Sequence, residues 1–313
     1  MIGVKRNTAC CGPANGLDFD MLSHHIHLND HPFHYLGWGN RADPVILMLH
    51  GFPEYSGAWA EVAAELADEY HCVAPDQRGY GQSWAPAEAS DYKAGKLVAD
   101  MVALIEYLGD RPVIVFGHDW GAAVAYALAI TRPDLVSRLI IANGVHPGPF
   151  QRALAAGGAQ TAASQYIHTL RRDGSETHLA EDHFNKLLSL FNAGMDMTWM
   201  TPERRAAYVT EWARPGRMRG MVNWYRASPL KLGLPGDVIT DLPAMPVETL
   251  RVRMPHLLLW GSNDSALLPE ATAGLDAYCD DLTRVEIEGA DHWILHQAPT
   301  RVAAEVRSWL RRD

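Results

Sequence analysis

The stretch Val113-Ile114-Val115-Phe116-Gly117-His118-Asp119-Trp120-Gly121-Ala122-Ala123-Val124 decides how this chain is read. Its first half is apolar and β-branched and reads as a strand ending at Gly117; from Gly121, small residues carry a helix to about Ile130. Between the two glycines the chain must turn sharply, with Asp119 at the tip. A glycine on each side relieves the crowding of such a turn. The spacing is that of a nucleophile elbow, Gly-x-Ser-x-Gly, with aspartate in the serine position. Taken alone, the stretch leaves two readings of Asp119: a carboxylate nucleophile, or a cap on the helix that follows.

Working outward, the neighbouring segments repeat the strand-to-helix pattern. Val45-Ile46-Leu47-Met48-Leu49 is a continuous apolar run, as expected of a strand buried on both faces of a parallel sheet. It leads into His50-Gly51-Phe52-Pro53 and then a helix through Trp59, Val62 and Leu66. Gly51 lets backbone amides near Phe52 point into a site; the alternative is a plain turn. His71-Cys72-Val73-Ala74-Pro75 is a further strand, and the loop after it, from Asp76 to Ser83, is expected to be pinned by an Asp76–Arg78 contact. A helix from about Tyr92 to Leu108 precedes the elbow strand, and Arg138 to Asn143 is the strand after it. Closer to the N-terminus, Met21 to Leu28 and Phe33 to Trp38 read as a hairpin joined by Asn29-Asp30-His31-Pro32. Its histidines (His24, His25, His27, His31, His34) are assigned to the solvated face of an edge hairpin, since they lack thiolate or carboxylate company at metal-ligand spacing.

The alternation stops at His146-Pro147-Gly148-Pro149. From about 150 to 243 the pattern is helical, over 161–172, 178–192, 201–213 and 216–228, with frequent tryptophan and tyrosine. Thr201-Pro202-Glu203 is a helix start with proline at the first position. The strand pattern resumes at His256-Leu257-Leu258-Leu259-Trp260, which ends in Gly261-Ser262-Asn263-Asp264. A helix near 269–278, a strand from Thr283 to Ile287 ending in Asp291-His292-Trp293, and a helix over 299–312 complete the chain. The expected organisation is a flexible leader over 1–18, an α/β core over 19–146, a helical cap over 147–244 and the rest of the core over 245–313. The fold class is α/β, with a mostly parallel, doubly wound sheet.

Composition narrows the function classes. The 313 residues are 48% hydrophobic and 20% charged, enough for a large core. A formal net charge of −10 without a Lys/Arg cluster argues against nucleic acid as a partner. Cys10, Cys11, Cys72 and Cys279 show neither zinc nor redox spacing. The leader lacks the apolar core of a secretory signal, and no uncharged apolar stretch is long enough to span a membrane. A soluble, cytoplasmic protein is expected, with its oligomeric state left open.

Asp119, Asp264 and His292 each follow the C-terminal end of an expected parallel strand. In a doubly wound sheet those ends lie along one edge. A carboxylate nucleophile, an acid and a histidine assembled there make a coherent catalytic set, and the nucleophilic reading of Asp119 becomes the preferred one.

The motifs His50-Gly51-Phe52-Pro53, Asp76-x-Arg78-Gly79-Tyr80-Gly81-x-Ser83, Gly117-His118-Asp119-Trp120-Gly121, Trp260-Gly261-x-x-Asp264 and His292-Trp293 resemble those of the α/β-hydrolase-fold epoxide hydrolases. Asn223-Trp224-Tyr225-Arg226 is similar to the cap motif that carries a catalytic tyrosine in that family. The resemblance covers about residues 20–312. It implies that Asp119 opens an epoxide to give an alkyl ester, while the phenols of Tyr225 and Tyr166 donate to the developing alkoxide. Tyr166 is chosen by position in the cap and has no motif of its own. His292, oriented by Asp264, is then expected to activate water against the ester, with the backbone amides of Phe52 and Trp120 holding the oxyanion. His50, Trp120, Trp224 and Trp293 are the candidate substrate-binding residues. The implied partners are a small epoxide and water, and the implied product is a vicinal diol, with no metal or organic cofactor.

Dehalogenases are the rivals within the same fold. Haloalkane dehalogenases share the aspartate nucleophile but often carry asparagine after the His-Gly pair, where this chain has Phe52. Haloacid enzymes of the fluoroacetate type usually carry arginines at the positions of Trp120 and Ala123. A rival of another class is a non-catalytic small-molecule receptor, against which the complete acid–base set stands.

Overall fold

The structure, a computed structural model, describes residues 21–109, 112–191 and 194–312. The expected leader over 1–18, with Cys10 and Cys11, lies outside the described residues. Among the described residues eight strands form one sheet: β1 (Leu22–Leu28), β2 (His31–Trp38), β3 (Val45–Leu49), β4 (His71–Pro75), β5 (Val113–His118), β6 (Val136–Ala142), β7 (His256–Gly261) and β8 (Leu282–Ile287). Their spatial order is β1-β2-β4-β3-β5-β6-β7-β8. β1 with β2 and β2 with β4 pair antiparallel, and every later pair is parallel.

The apolar runs become central strands because both of their faces are covered. Side chains alternate between faces along a strand. Thus Leu47, Leu49, Val113, Val115, Leu139 and Ile141 enter one core with Leu97, Met101 and Leu104 of α2 (Ala94–Leu108) and Val124 and Leu128 of α3 (Trp120–Thr131). Ile46, Met48, Ile114, Phe116, Ile140, Leu257 and Leu259 enter the other, against Val62 and Leu66 on the helix Ala60–Leu66, which is α1, and Val302 and Val306 near the C-terminus.

Between β6 and β7 the described chain is helical and irregular, with no strand: α4 (Pro147–Ala155), α5 (Ala159–Ala163), α6 (Tyr166–Arg171), α7 (Ser175–Phe191), α8 (Pro202–Trp212) and α9 (Arg217–Ala227). α7 is broken inside by Asp182, His183 and Phe184, whose φ angles are +50°, +51° and +66°. Thr201 caps α8 as its sequence predicts, its side chain accepting from Arg204 N at 3.3 Å. After β8 come α10 (Ile294–Gln297) and α11 (Pro299–Leu310). No helix among the described residues is long and apolar enough to cross a membrane.

Several local expectations are corrected. The hairpin turn is two residues, not four, because Asn29 and Asp30 adopt φ of +50° and +65° and close it tightly. A helix expected at 269–278 is instead two 3₁₀ turns, Pro269–Thr272 and Leu275–Tyr278, parted at Gly274 with φ +75°. His34 is buried rather than solvated, since β2 lies between β1 and β4. The Asp76–Arg78 contact does not form. Asp76 accepts from the amides of Ser56 (2.9 Å) and Gln82 (2.8 Å) and pairs with His34 Nδ1 at 2.7 Å. Arg78 turns the other way and grips both oxygens of Asp100 on α2 at 2.7 Å, a bidentate pair that a buried guanidinium favours.

Candidate active site

Asp119 stands between β5 and α3 with φ +50° and ψ −119°, a strained conformation for a residue with a side chain. Its surroundings hold it there. The Asp119 amide donates to Asn143 O at 3.3 Å, and its own carbonyl accepts from Ala122 N at 3.0 Å. Gly121 has to be glycine, because a Cβ on it would lie 1.9 Å from Leu49 O. Phe52 N–H donates to Asp119 Oδ1 at 2.7 Å, and a Cβ at Gly51 would fall 2.3 Å from that same oxygen. The loop after β3 therefore approaches the carboxylate by its backbone.

β7 and β8 bring the other two groups to the same edge of the sheet. Asp264 Oδ1 accepts from the amides of Ala266 (2.8 Å) and Leu267 (2.9 Å). Its Oδ2 accepts from Asn143 Nδ2 (2.7 Å) and His292 Nδ1 (2.8 Å). Since a carboxylate only accepts, His292 carries a proton on Nδ1 in either charge state. His292 Nε2 lies 3.5 Å from Asp119 Oδ2. Burial would push the imidazole down, but the negative charges of Asp264 and Asp119 outweigh it and hold His292 well above its ordinary range. Burial likewise acts to raise Asp264, yet His292 and the donors around it keep the carboxyl below its usual value.

Two phenols come from the helical segment. Tyr166 begins α6 and Tyr225 lies in α9, with ring centroids 6.2 Å apart. Tyr225 meets Phe52 edge-on at 5.1 Å and Trp120 at 5.0 Å. Burial, reinforced by the Asp119 charge, raises both phenols, so they stay protonated at neutral pH and remain donors. Both tyrosines, Asp119, His292, Phe52 and Trp293 border one cavity of about 160 Å³, completed by Ala163, Leu190, Met195, Ser265 and Ala266. A larger hollow of about 330 Å³, lined by Asn185, Leu188, Ser189, Met197, Met200 and Arg205, brings no histidine, cysteine or carboxylate together among the described residues.

A family model of the α/β-hydrolase fold matches residues 44–299. Mouse epoxide hydrolase 4 is 31% identical over 289 residues, which make up 90% of this chain and 77% of that protein. The chain belongs to the α/β-hydrolase-fold epoxide hydrolases. A structure of epoxide hydrolases from hot-environment metagenomes superposes on this family member with a TM-score of 0.85 at 32% identity, covering 95% of this chain and 100% of that one. The epoxide hydrolase of Bacillus megaterium in complex with an inhibitor gives 0.83 at 28%, over 92% of this chain and 100% of that one.

Within this epoxide-hydrolase chain, the four substrate-binding candidates separate. Trp293 borders the cavity. Trp120 opens α3, where backbone N–H groups lack helical partners, and its ring packs on Tyr225 rather than lining the cavity. His50 is turned away: its ring Nε2 accepts from Gln77 N at 3.2 Å, and Gln77 Nε2 donates to His50 O at 2.6 Å. Trp224 is also turned away, its indole N–H donating to Arg78 O at 2.9 Å. His50 and Trp224 therefore brace the loops around the site.

Sequence reasoning missed Asn143. It links three strand ends: its carbonyl accepts from Asp119 N, its Oδ1 accepts from Gly261 N at 2.8 Å, and its Nδ2 donates to Asp264. The signal was available, because Asn143 directly follows the last residue of β6, as Asp119 does that of β5. Glu54, His118 and His296 were missed as well. They form a buried group beneath the site, and nothing in their spacing marks it.

Proposed function

We propose that this protein hydrolyses epoxides to vicinal diols through an alkyl ester on Asp119. The observation that carries the reading is a pair of phenols, Tyr225 buried and Tyr166 half-buried, that border the same cavity as a carboxylate already paired with a histidine. A departing halide also accepts hydrogen bonds but needs no proton, whereas the alkoxide of an opening epoxide is a strong base that needs weakly acidic O–H donors such as these.

The division of labour follows from the hydrogen bonds. Phe52 N–H holds Asp119 Oδ1 at 2.7 Å, which leaves Oδ2 as the attacking oxygen. Attack forms the Oδ2–carbon bond and breaks the carbon–oxygen bond of the ring. Tyr166 and Tyr225 stabilise the oxygen that leaves. Ester formation also removes the negative charge of Asp119, one of the two that keep His292 protonated. The imidazole then gives up its proton, equal in number to the one the alkoxide takes up, and becomes a base. It next draws a proton from water attacking Cγ of Asp119, with the Phe52 and Trp120 amides facing the oxyanion. Collapse releases the diol and restores both Asp119 and protonated His292.

His292→Gln tests the scheme. Intact-mass measurement after exposure to small epoxides should show an adduct of the whole epoxide mass, located on Asp119 by peptide mapping. An adduct lacking halogen, formed only from haloalkanes, would convert the reading to dehalogenation. No adduct from either panel would refute covalent catalysis at Asp119.

A further inference from the structure

Beneath the catalytic groups lies a buried carboxylate shared by four parts of the chain. Glu54, two residues after Phe52, takes His118 Nδ1 on Oε2 at 3.1 Å, and on Oε1 takes His296 Nε2 at 2.7 Å and the Tyr208 hydroxyl at 3.2 Å. His118 directly precedes Asp119, and its Nε2 donates to the carbonyl of His292 at 2.8 Å. His296 is on α10, four residues past His292, whereas Tyr208 is on α8 of the helical segment. The His296 ring also stacks flat on Trp199 of that segment, at 3.9 Å and 8°. Outside the stack, Arg204 of α8 pairs with Glu61 of α1 at 2.8 Å and donates to Trp199 O at 3.3 Å.

A carboxylate removed from water is tolerable only while its partners stay in place. Displacing α8 from the core would strip Glu54 of Tyr208 and separate His296 from Trp199. His296 does not border the catalytic cavity, so any influence it has on the reaction passes through these contacts. Its position joins the two halves of the proposed chemistry: the loop of Phe52 and Asp119 below, and the segment bearing Tyr166 and Tyr225 above.

We infer that His296 is a positioning residue, which clamps α8 and Trp199 to Glu54 and so sets how the two phenols sit over Asp119. This inference rests on the two-step reaction proposed above. Ester formation needs the phenols placed; ester hydrolysis draws on the Asp264–His292 side-chain pair, which the His296 contacts do not touch and which the Glu54 group reaches only through the His118 bond to the His292 carbonyl. Loss of the clamp therefore slows the first step selectively.

Three variants test this. His296→Phe keeps a ring for Trp199 but removes the donor to Glu54; His296→Gln restores a donor; Tyr208→Phe removes one hydroxyl and keeps its ring. In single-turnover experiments followed by intact mass, His296→Phe should form the ester at least tenfold more slowly, with hydrolysis changed less than threefold. His296→Gln should recover most of the loss, and Tyr208→Phe should show a smaller defect of the same kind. Equal slowing of both steps, or unchanged ester formation in folded variants, overturns the inference. Hydrogen–deuterium exchange reads the clamp apart from chemistry: α8 amides should exchange at least tenfold faster in His296→Phe, and those of α3 at the wild-type rate. Unchanged α8 protection overturns the clamp even if the chemistry holds. A loosened α8 in a protein whose wild type forms no ester refutes the chemistry alone. Should His296→Phe not fold, Tyr208→Phe carries both measurements.

Discussion

Replacing Asp264 with asparagine removes one charge and one acceptor from a group that uses both oxygens fully. The carboxylate accepts from Ala266 N, Leu267 N, Asn143 Nδ2 and His292 Nδ1, all within 2.7–2.9 Å. An asparagine offers one oxygen and one NH₂. With its oxygen toward the two amides, the NH₂ meets the His292 and Asn143 donors. His292 must then carry its proton on Nε2, where the base has to accept one. With the amide reversed, two buried backbone donors lose their acceptor at about 1–3 kcal/mol each. The first arrangement is cheaper, so the variant should fold with the wrong histidine tautomer. That fault costs about 10⁴-fold in a triad built on the same logic, equivalent to about 5.5 kcal/mol of barrier. Rapid-quench single turnovers should show the Asp119 ester forming and then persisting, with hydrolysis slowed about 10³–10⁴-fold. A fall below tenfold, or equal loss of both steps, would refute the assignment of Asp264 as the group that orients His292.

Other perturbations separate the remaining roles. Tyr166→Phe and Tyr225→Phe should each slow ester formation about 10²–10³-fold, as expected for one lost donor to a developing oxyanion, and the double variant should be inactive in the same burst assay. Gly51→Ala places a methyl 2.3 Å from Asp119 Oδ1 and should lower turnover at least about 100-fold while the melting temperature falls only a few degrees; wild-type turnover would show that the loop can withdraw. Asp76 has its carboxyl held below the usual range: burial raises it, but His34 and the amides of Gln82 and Ser56 outweigh that. Its stabilising contribution is therefore present above about pH 4 and lost as pH falls through the folded-state value. Asp76→Asn should cost about 1–3 kcal/mol at pH 7 and flatten the acid side of a plot of melting temperature against pH; an unchanged acid limb contradicts this.

What was legible in the sequence is what depends on local pattern. Runs such as Val45–Leu49 and His256–Trp260 announce strands covered on both faces, and a polar residue just after such a run belongs to the sheet edge where groups gather. Asp119 and Asp264 are placed at that edge this way, whereas His292 lies five residues past the alternating, partly exposed strand β8. Side-chain direction is not local, and here motif-based expectation failed: His50 and Trp224 sit in the right loops but turn to satisfy Gln77 and Arg78. Ion pairing failed for the same reason. Arg78 found Asp100 on α2, not the aspartate two residues away. Asn143 shows a third limit: its place at a strand end is visible, but a neutral side chain there draws no assignment until Gly261 and Asp264 are seen to meet it. The helix near 269–278 was lost to Gly274, whose positive φ stops a propensity that the flanking residues support.

The insertion between β6 and β7 gives this architecture an evolutionary hinge. Every group assigned to breaking the ester rises from the sheet or the loops at its edge, and both phenols assigned to opening the ring arrive in one contiguous length of chain. A lineage can therefore redraw the segment, altering which electrophiles are accepted, without rebuilding the hydrolytic apparatus. Grafting is the laboratory counterpart. A segment from another member of the family should bring its own ring-opening preference with it, provided the new helices still meet the buried glutamate on which the host sheet expects them to land.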